Sequence, residues 1–120
     1  MATLVPLNTF KTIAANVTTN DTLLYTTPVE TATIILTAQV SNLTPTAANV
    51  TFIHRSNVLV GGTRYITDTE LVKNYEIGGN DASSVIVGKI VLEEAQAVLV
   101  KGSANATMKI LLSLLETSLI

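Results

Sequence analysis

The chain has no cysteine, no tryptophan and a single histidine, and only 13% of its residues are charged. Each shortage removes a kind of chemistry. Without cysteine, these residues form no disulfide, offer no thiolate to a metal and supply no thiol nucleophile. The lone histidine, His54, excludes multi-histidine metal sites and leaves any acid–base role without a histidine partner. Basic residues are scattered at positions 11, 55, 64, 73, 89, 101 and 109, and the net charge is −2. Nucleic-acid binding needs a basic stripe and is not expected. Long apolar runs are missing too. TATIILTAQV is broken by Thr and Gln, well short of the ~18 residues of a membrane helix, so no membrane partner is expected. MATLVPLNTFKT lacks a basic segment followed by a long apolar one, which argues against a secretory signal and for folding in a cytoplasm.

What is present points to strands. Hydrophobic residues make up 48% of the chain, with Thr and Val frequent. Small β-branched side chains suit a pleated, half-buried surface better than a helix. At 120 residues the expectation is one all-β domain spanning 1–120. So few ionised groups cannot cover the surface of so small a domain, and exposed apolar patches mark interaction sites. Neighbouring protein is therefore expected to cover part of this one.

Turn signals recur every eight to twelve residues or so, the spacing of a sandwich or barrel. FKTIAANVTT, TLLYTT, TATIILTAQVSN and ANVTFIHRSN read as strands, separated by Asn20-Asp21, Pro28 and Leu43 to Thr46. In the third run, Ala32, Ile34, Leu36, Ala38 and Val40 are expected on one face, and Thr31, Thr33, Ile35, Thr37, Gln39 and Ser41 on the other. Val50 and Phe52 point inward by parity, with His54 on the same side. Gly61-Gly62 between VLV and TRYI signals a two-residue hairpin turn. TELVKNYEI closes at Gly78 to Asp81, and SSVIVGKIVLEE, AQAVLVKGSA and TMKILLSLLE follow. That totals about eight strands. The last segment fits a helix face through Met108, Leu111 and Leu115, or a strand through Met108, Ile110, Leu112 and Leu114. Without capping signals it reads as a strand, apolar on both faces.

The search for chemistry comes back empty. Glu93-Glu94 are neighbours, and neighbours on a strand face opposite ways, so a corner is expected rather than a paired-carboxylate site. Asp68-Thr69-Glu70 and Asn80-Asp81 lack cation-loop spacing and read as loop residues. Gly61-Gly62-Thr63 lacks the phosphate-loop pattern. His54 reads as a packed or surface group. Glycosylation-type triplets at Asn16, Asn20, Asn42, Asn49 and Asn105 read as chance in a chain rich in Thr and Asn. No catalytic, cofactor-binding or metal residue is assigned, and no enzyme activity or cofactor is expected.

Two stretches, MATLVPLNTFKTIAANV and TLLYTTPVETATIILTAQVSNLTPTAANVTF, resemble the small virion structural proteins of tailed bacteriophages, nearest to those of phages infecting cyanobacteria. Tyr25-Thr26-Thr27-Pro28 matches a Y-T-x-P before a contact strand. Thr69 to Ile77, then Gly78 to Asp81, match a strand and its Gly/Asn/Asp turn. Gly88 to Glu116 carry G-K-I-V-L-E, V-K-G-S-A-N-A-T and S-L-L-E. The chain departs at one corner, where Glu94-Ala95-Gln96 replaces a frequent Gly-Asp. The resemblance implies a non-enzymatic shell, neck or tail component, made in the host cytoplasm and carried on the virion.

The combined expectation is an antiparallel β-sandwich, jelly-roll-like, acting as a capsid decoration or cement protein. It would form a homo-oligomer, a trimer by expectation, and contact virion proteins such as the major capsid protein. A neck or tail accessory role is the alternative, and a carbohydrate-binding module on a host-recognition fibre is the alternative of another class. That module needs aromatic platforms, and Phe10, Tyr25, Phe52, Tyr65 and Tyr75 are dispersed. Ile34, Leu36, Val40, Met108, Ile110, Leu111, Leu112, Leu114 and Leu115 are the candidates for core plus interface.

Overall fold

A computed structural model describes residues 8–105 and 107–119. The reading of residues 1–7 as no secretory signal lies outside them. Nine strands follow in order: β1 (Asn8–Val17), β2 (Thr22–Thr26), β3 (Thr31–Asn42), β4 (Ala48–Val60), β5 (Thr63–Ile77), β6 (Ala82–Ser84), β7 (Ile90–Leu92), β8 (Ala97–Gly102) and β9 (Met108–Ser118). One sheet runs β1-β9-β3, with β6 and β7 both on the far edge of β3; the other runs β2-β8-β4-β5. Every pairing is antiparallel.

β6 pairs with Gln39 to Ser41 and β7 with Thr33 to Ile35, so the two are halves of one interrupted strand. Counted as one, they leave eight strands in two sheets of order 1-8-3-6 and 2-7-4-5, the order of a jelly roll. The interruption lies in SSVIVGKIVLEE, where the spacing predicts a single strand. Val85 and Ile86 turn into the core there, leaving Val87 outside and Gly88 at φ 74°.

The core lies between the sheets. Phe52, Val50, Val98 and Val100 face it from one side, and Ile35, Val40, Ile110 and Leu112 from the other. β9 keeps strict alternation, with Met108, Ile110, Leu112 and Leu114 all buried. It sits between β1 and β3, and its outer face is mixed, with Leu111 and Leu115 among Lys109, Ser113 and Thr117, so the expectation of a strand apolar on both faces holds for the inner face alone.

β3 does not keep one face. Its register against β9 shifts between Ile35 and Thr37, leaving Leu36 as an extra residue. A bulge of one residue exchanges faces. Thr33 and Ile35 are therefore buried before it, and Ala38, Val40 and Asn42 after it. Ile34 and Leu36, expected alongside Ala38 and Val40, are only half-buried.

The runs ANVTFIHRSN and VLV are one strand, as are TRYI and TELVKNYEI. A Gly61-Gly62 turn with φ 56° and 82° joins them into one long hairpin. Both positive angles suit the primed turn whose twist matches paired strands. At the far end of β5, a Cβ on Gly79 would collide with the Pro45 carbonyl oxygen, so only glycine fits against that loop.

Candidate assembly surfaces

The fold divides the nine residues expected to serve as core plus interface. Val40, Met108, Ile110, Leu112 and Leu114 are buried within the chain and present nothing to a neighbour. Ile34, Leu36, Leu111 and Leu115 remain accessible. Register brings Ile34 and Leu115 together with Phe10 and Val91: Phe10 opposes Leu115, Leu115 opposes Ile34, and Ile34 opposes Val91. Opposed residues share a face, so these four form an apolar row across the outer surface of the β1-containing sheet. Its ends, Phe10 and Val91, are well exposed.

A second surface lies outside the sequence-based expectations. β8 pairs with β4 only as far as Arg55, whereas β4 and β5 continue together to Val60 and Thr63. Five residue pairs, from Ser56–Thr67 to Val60–Thr63, thus form a two-stranded arm beyond the sandwich. At ~3.4 Å per residue the arm reaches about 17 Å before its turn. The chain accordingly measures 54 × 38 × 23 Å with a radius of gyration of 15.8 Å, against about 13.6 Å for a compact domain of this length. Val58, Leu59, Val60, Tyr65 and Ile66 on the arm are 48–61% exposed. Val58, Val60 and Tyr65 lie on one face, Leu59 and Ile66 on the other. The sequence does carry a signal for it: apolar residues at consecutive positions on both sides of a Gly-Gly turn leave a hairpin no polar face.

Arg55 grips Asp68 at the base of the arm, Nε donating to Oδ1 at 2.7 Å and Nη2 to Oδ2 at 2.9 Å. That pairing holds the Asp68 carboxyl below the usual carboxylate range and keeps Asp68-Thr69-Glu70 inside β5, where a loop was expected. Arg64 Nη1 donates to Asn57 Oδ1 at 2.9 Å further out.

One cluster of titratable side chains spans the two sheets. Tyr25, from β2, donates its hydroxyl to Glu116 Oε2 on β9 and lies 2.9 Å from Thr33 Oγ1. Lys11 Nζ is 3.1 Å from Glu116 Oε1. Burial pushes the Tyr25 phenol well above its ordinary range, and the bond to Glu116 raises it further. Burial alone would raise the Glu116 carboxyl, but the bonds from Tyr25 and Lys11 outweigh it and the net shift is downward. The group ties one end of the sandwich shut.

The remaining candidates fall to structural roles. Glu93 and Glu94 are exposed in a turn where the Gln96 amide donates to the Glu93 carbonyl at 3.0 Å and Gln96 Oε1 accepts from the Glu93 amide at 2.9 Å. His54 is half-buried on β4, opposite Thr69 and Val98. Asn42 is buried and donates to the carbonyls of Thr46 and Ile77, so that triplet belongs to the fold. Phe52 is in the core and Tyr25 in the clamp, while Phe10, Tyr65 and Tyr75 are exposed on β1, the arm and the inner part of β5. A groove of about 480 Å³ on the outer face of the β5-containing sheet has Ile53 in its lining. Its lining mixes Asp21, Asp68 and Glu70 with Lys73 and Lys101, and Lys73 Nζ lies 3.8 Å from Glu70 Oε2. Among the described residues no group of three or more metal-ligating side chains gathers.

These surfaces sit on an eight-stranded jelly roll with one edge strand broken and one hairpin overgrown. No protein-family model and no curated protein sequence matches the chain. Among solved structures, one from Bacillus endospore appendages, described as a novel family of disulfide-linked pili, shares the fold. It is 15% identical with a TM-score of 0.53, over 94% of this chain and 88% of its own. The present chain has no cysteine, so its residues cannot form the disulfides that the description names.

Proposed function

We propose that this protein is a non-enzymatic structural subunit that self-associates and bridges neighbours in a larger particle. The apolar arm carries the reading. A two-stranded hairpin is at best marginally stable alone in water, and this one exposes five large hydrophobic side chains on two faces. Such a device makes sense when other protein covers it. A jelly-roll likeness to a pilus subunit is consistent with assembly, though it speaks to the fold alone.

The segment resemblance supports a tailed phage as the particle, and the specific role is capsid decoration: a small domain spanning capsid subunits adds buried area across their joints. Stable attachment needs interfaces of roughly 1,200–2,000 Å². The test separates heads from tails of the purified phage and quantifies the protein in each by mass spectrometry. Hundreds of copies with the heads are the expected result, and stripping the protein should lower the temperature at which heads rupture. About a dozen copies, with the tail fraction, would instead make it a neck or tail component.

A further inference from the structure

We propose that the arm is completed by the arm of a second copy, β5 pairing antiparallel with β5 across a two-fold axis centred on Ile66. The inference rests on the self-association reading and names its contact. Most free edges of the two sheets are unsuited to pairing. β2 has five residues and a register shift, and β6 and β7 have three each. β5 is different. From Thr63 to Glu70 it runs in unbroken register against Val60 to Ile53, and its irregularities begin only beyond Glu70, at Leu71 and at Lys73 to Asn74. Among the described residues its other edge has no strand partner. β1 is the other long edge, but its one charge, Lys11, is engaged with Glu116, and it offers no self-complementary pattern.

β5 does offer one. With Ile66 opposite its own copy, Arg64 falls opposite Asp68 of the partner subunit, and the contact occurs twice. Opposed residues share a face, so cation and carboxylate meet directly. Asp68 already accepts two bonds from Arg55, yet a carboxylate has about four acceptor positions and accommodates a second guanidinium. The neighbouring register, centred on Thr67, would set Ile66 against the partner subunit's Asp68 and is disfavoured. Exposed ion pairs add little affinity; here they choose the register, while main-chain hydrogen bonds along the free edge and the lateral contact of Ile66 with its own copy drive association. The two-stranded arm becomes part of a four-stranded ribbon, enough strands for independent stability, and the two four-stranded sheets join end to end.

Sedimentation of the full chain over a concentration series should show a dimer, in place of the trimer expected from the sequence; a trimer would overturn the two-fold pairing. Arg64→Glu and Asp68→Lys, each alone, should weaken it by about tenfold or more, and an equimolar mixture of the two variants should restore it. Ile66→Cys supplies the only thiol in the chain and should oxidise to a covalent dimer, whereas Leu23→Cys on the β2 edge should not. Circular dichroism on each variant guards against misfolding. Self-association in which the Ile66→Cys variant forms no crosslink would overturn the arm pairing while leaving the assembly reading intact. A monomer at every concentration would overturn both.

Discussion

Ala95 lies at φ 67° in the turn between β7 and β8, a left-handed conformation that costs a residue with a Cβ about 1–2 kcal/mol. Ala95→Gly should therefore stabilise the fold by up to about 1 kcal/mol, less than the strain because glycine loses more freedom on folding. Urea melts of the two proteins measure it directly. Glu116 is the other telling residue. Its carboxyl titrates lower in the fold than in the unfolded chain, so between those two values the unfolded state holds the extra proton and stability rises with pH. The contribution is complete above about pH 4.5 and fades as pH falls through the folded value. Glu116→Gln should flatten the acid limb of a plot of melting temperature against pH. Tyr25→Phe, which removes a bond to a charged group, should cost about 1.5–3 kcal/mol near neutrality.

β9 shows how an element's two faces part company. Leu111 and Leu112 are adjacent and chemically identical, but Leu112 is fully buried and Leu111 is 46% exposed. Leu112→Ala should cost about 2–5 kcal/mol, and Leu111→Ala within about 0.5 kcal/mol of zero, as read from paired denaturant titrations. Should Leu111 lie under a neighbour in an assembly, its truncation would weaken association while leaving the monomer's stability unchanged. The buried face of the same strand is legible in the sequence, where alternation names Met108, Ile110, Leu112 and Leu114 together, while the outer face expected to be apolar carries Lys109, Ser113 and Thr117. On β3 the alternation misleads. Ile34 and Leu36 belong by spacing with Ala38 and Val40, but the bulge at Leu36 puts Ile34 on the outer row with Phe10, Leu115 and Val91. Nothing in TATIILTAQVSN marks that bulge: no glycine, no proline, no charge.

The whole molecule is a jelly roll whose two sheets close over a single core and whose β4–β5 hairpin overruns it. The overrun exposes one apolar surface on the arm, and the row of Phe10, Leu115, Ile34 and Val91 across the outer face of the β1-containing sheet is a second, separate one. Two separate surfaces are what a bridging subunit requires, since a closed contact on one leaves the other for a different neighbour.

The order of residues establishes the class of fold, because β-branched residues in period two, broken by turn chemistry at Gly61-Gly62 and Gly78 to Asp81, leave few architectures open. It also determined that Glu93-Glu94 is a corner, because neighbours on a strand cannot share a target. Tertiary structure alone decided which apolar residues are core and which are surface. That division depends on how many strands lie beside a given stretch: β8 ends at Ala97, opposite Arg55, and the apolar residues of β4 and β5 beyond that pair, though no different in kind from Phe52 or Ile53, have no third strand or opposing sheet to bury them.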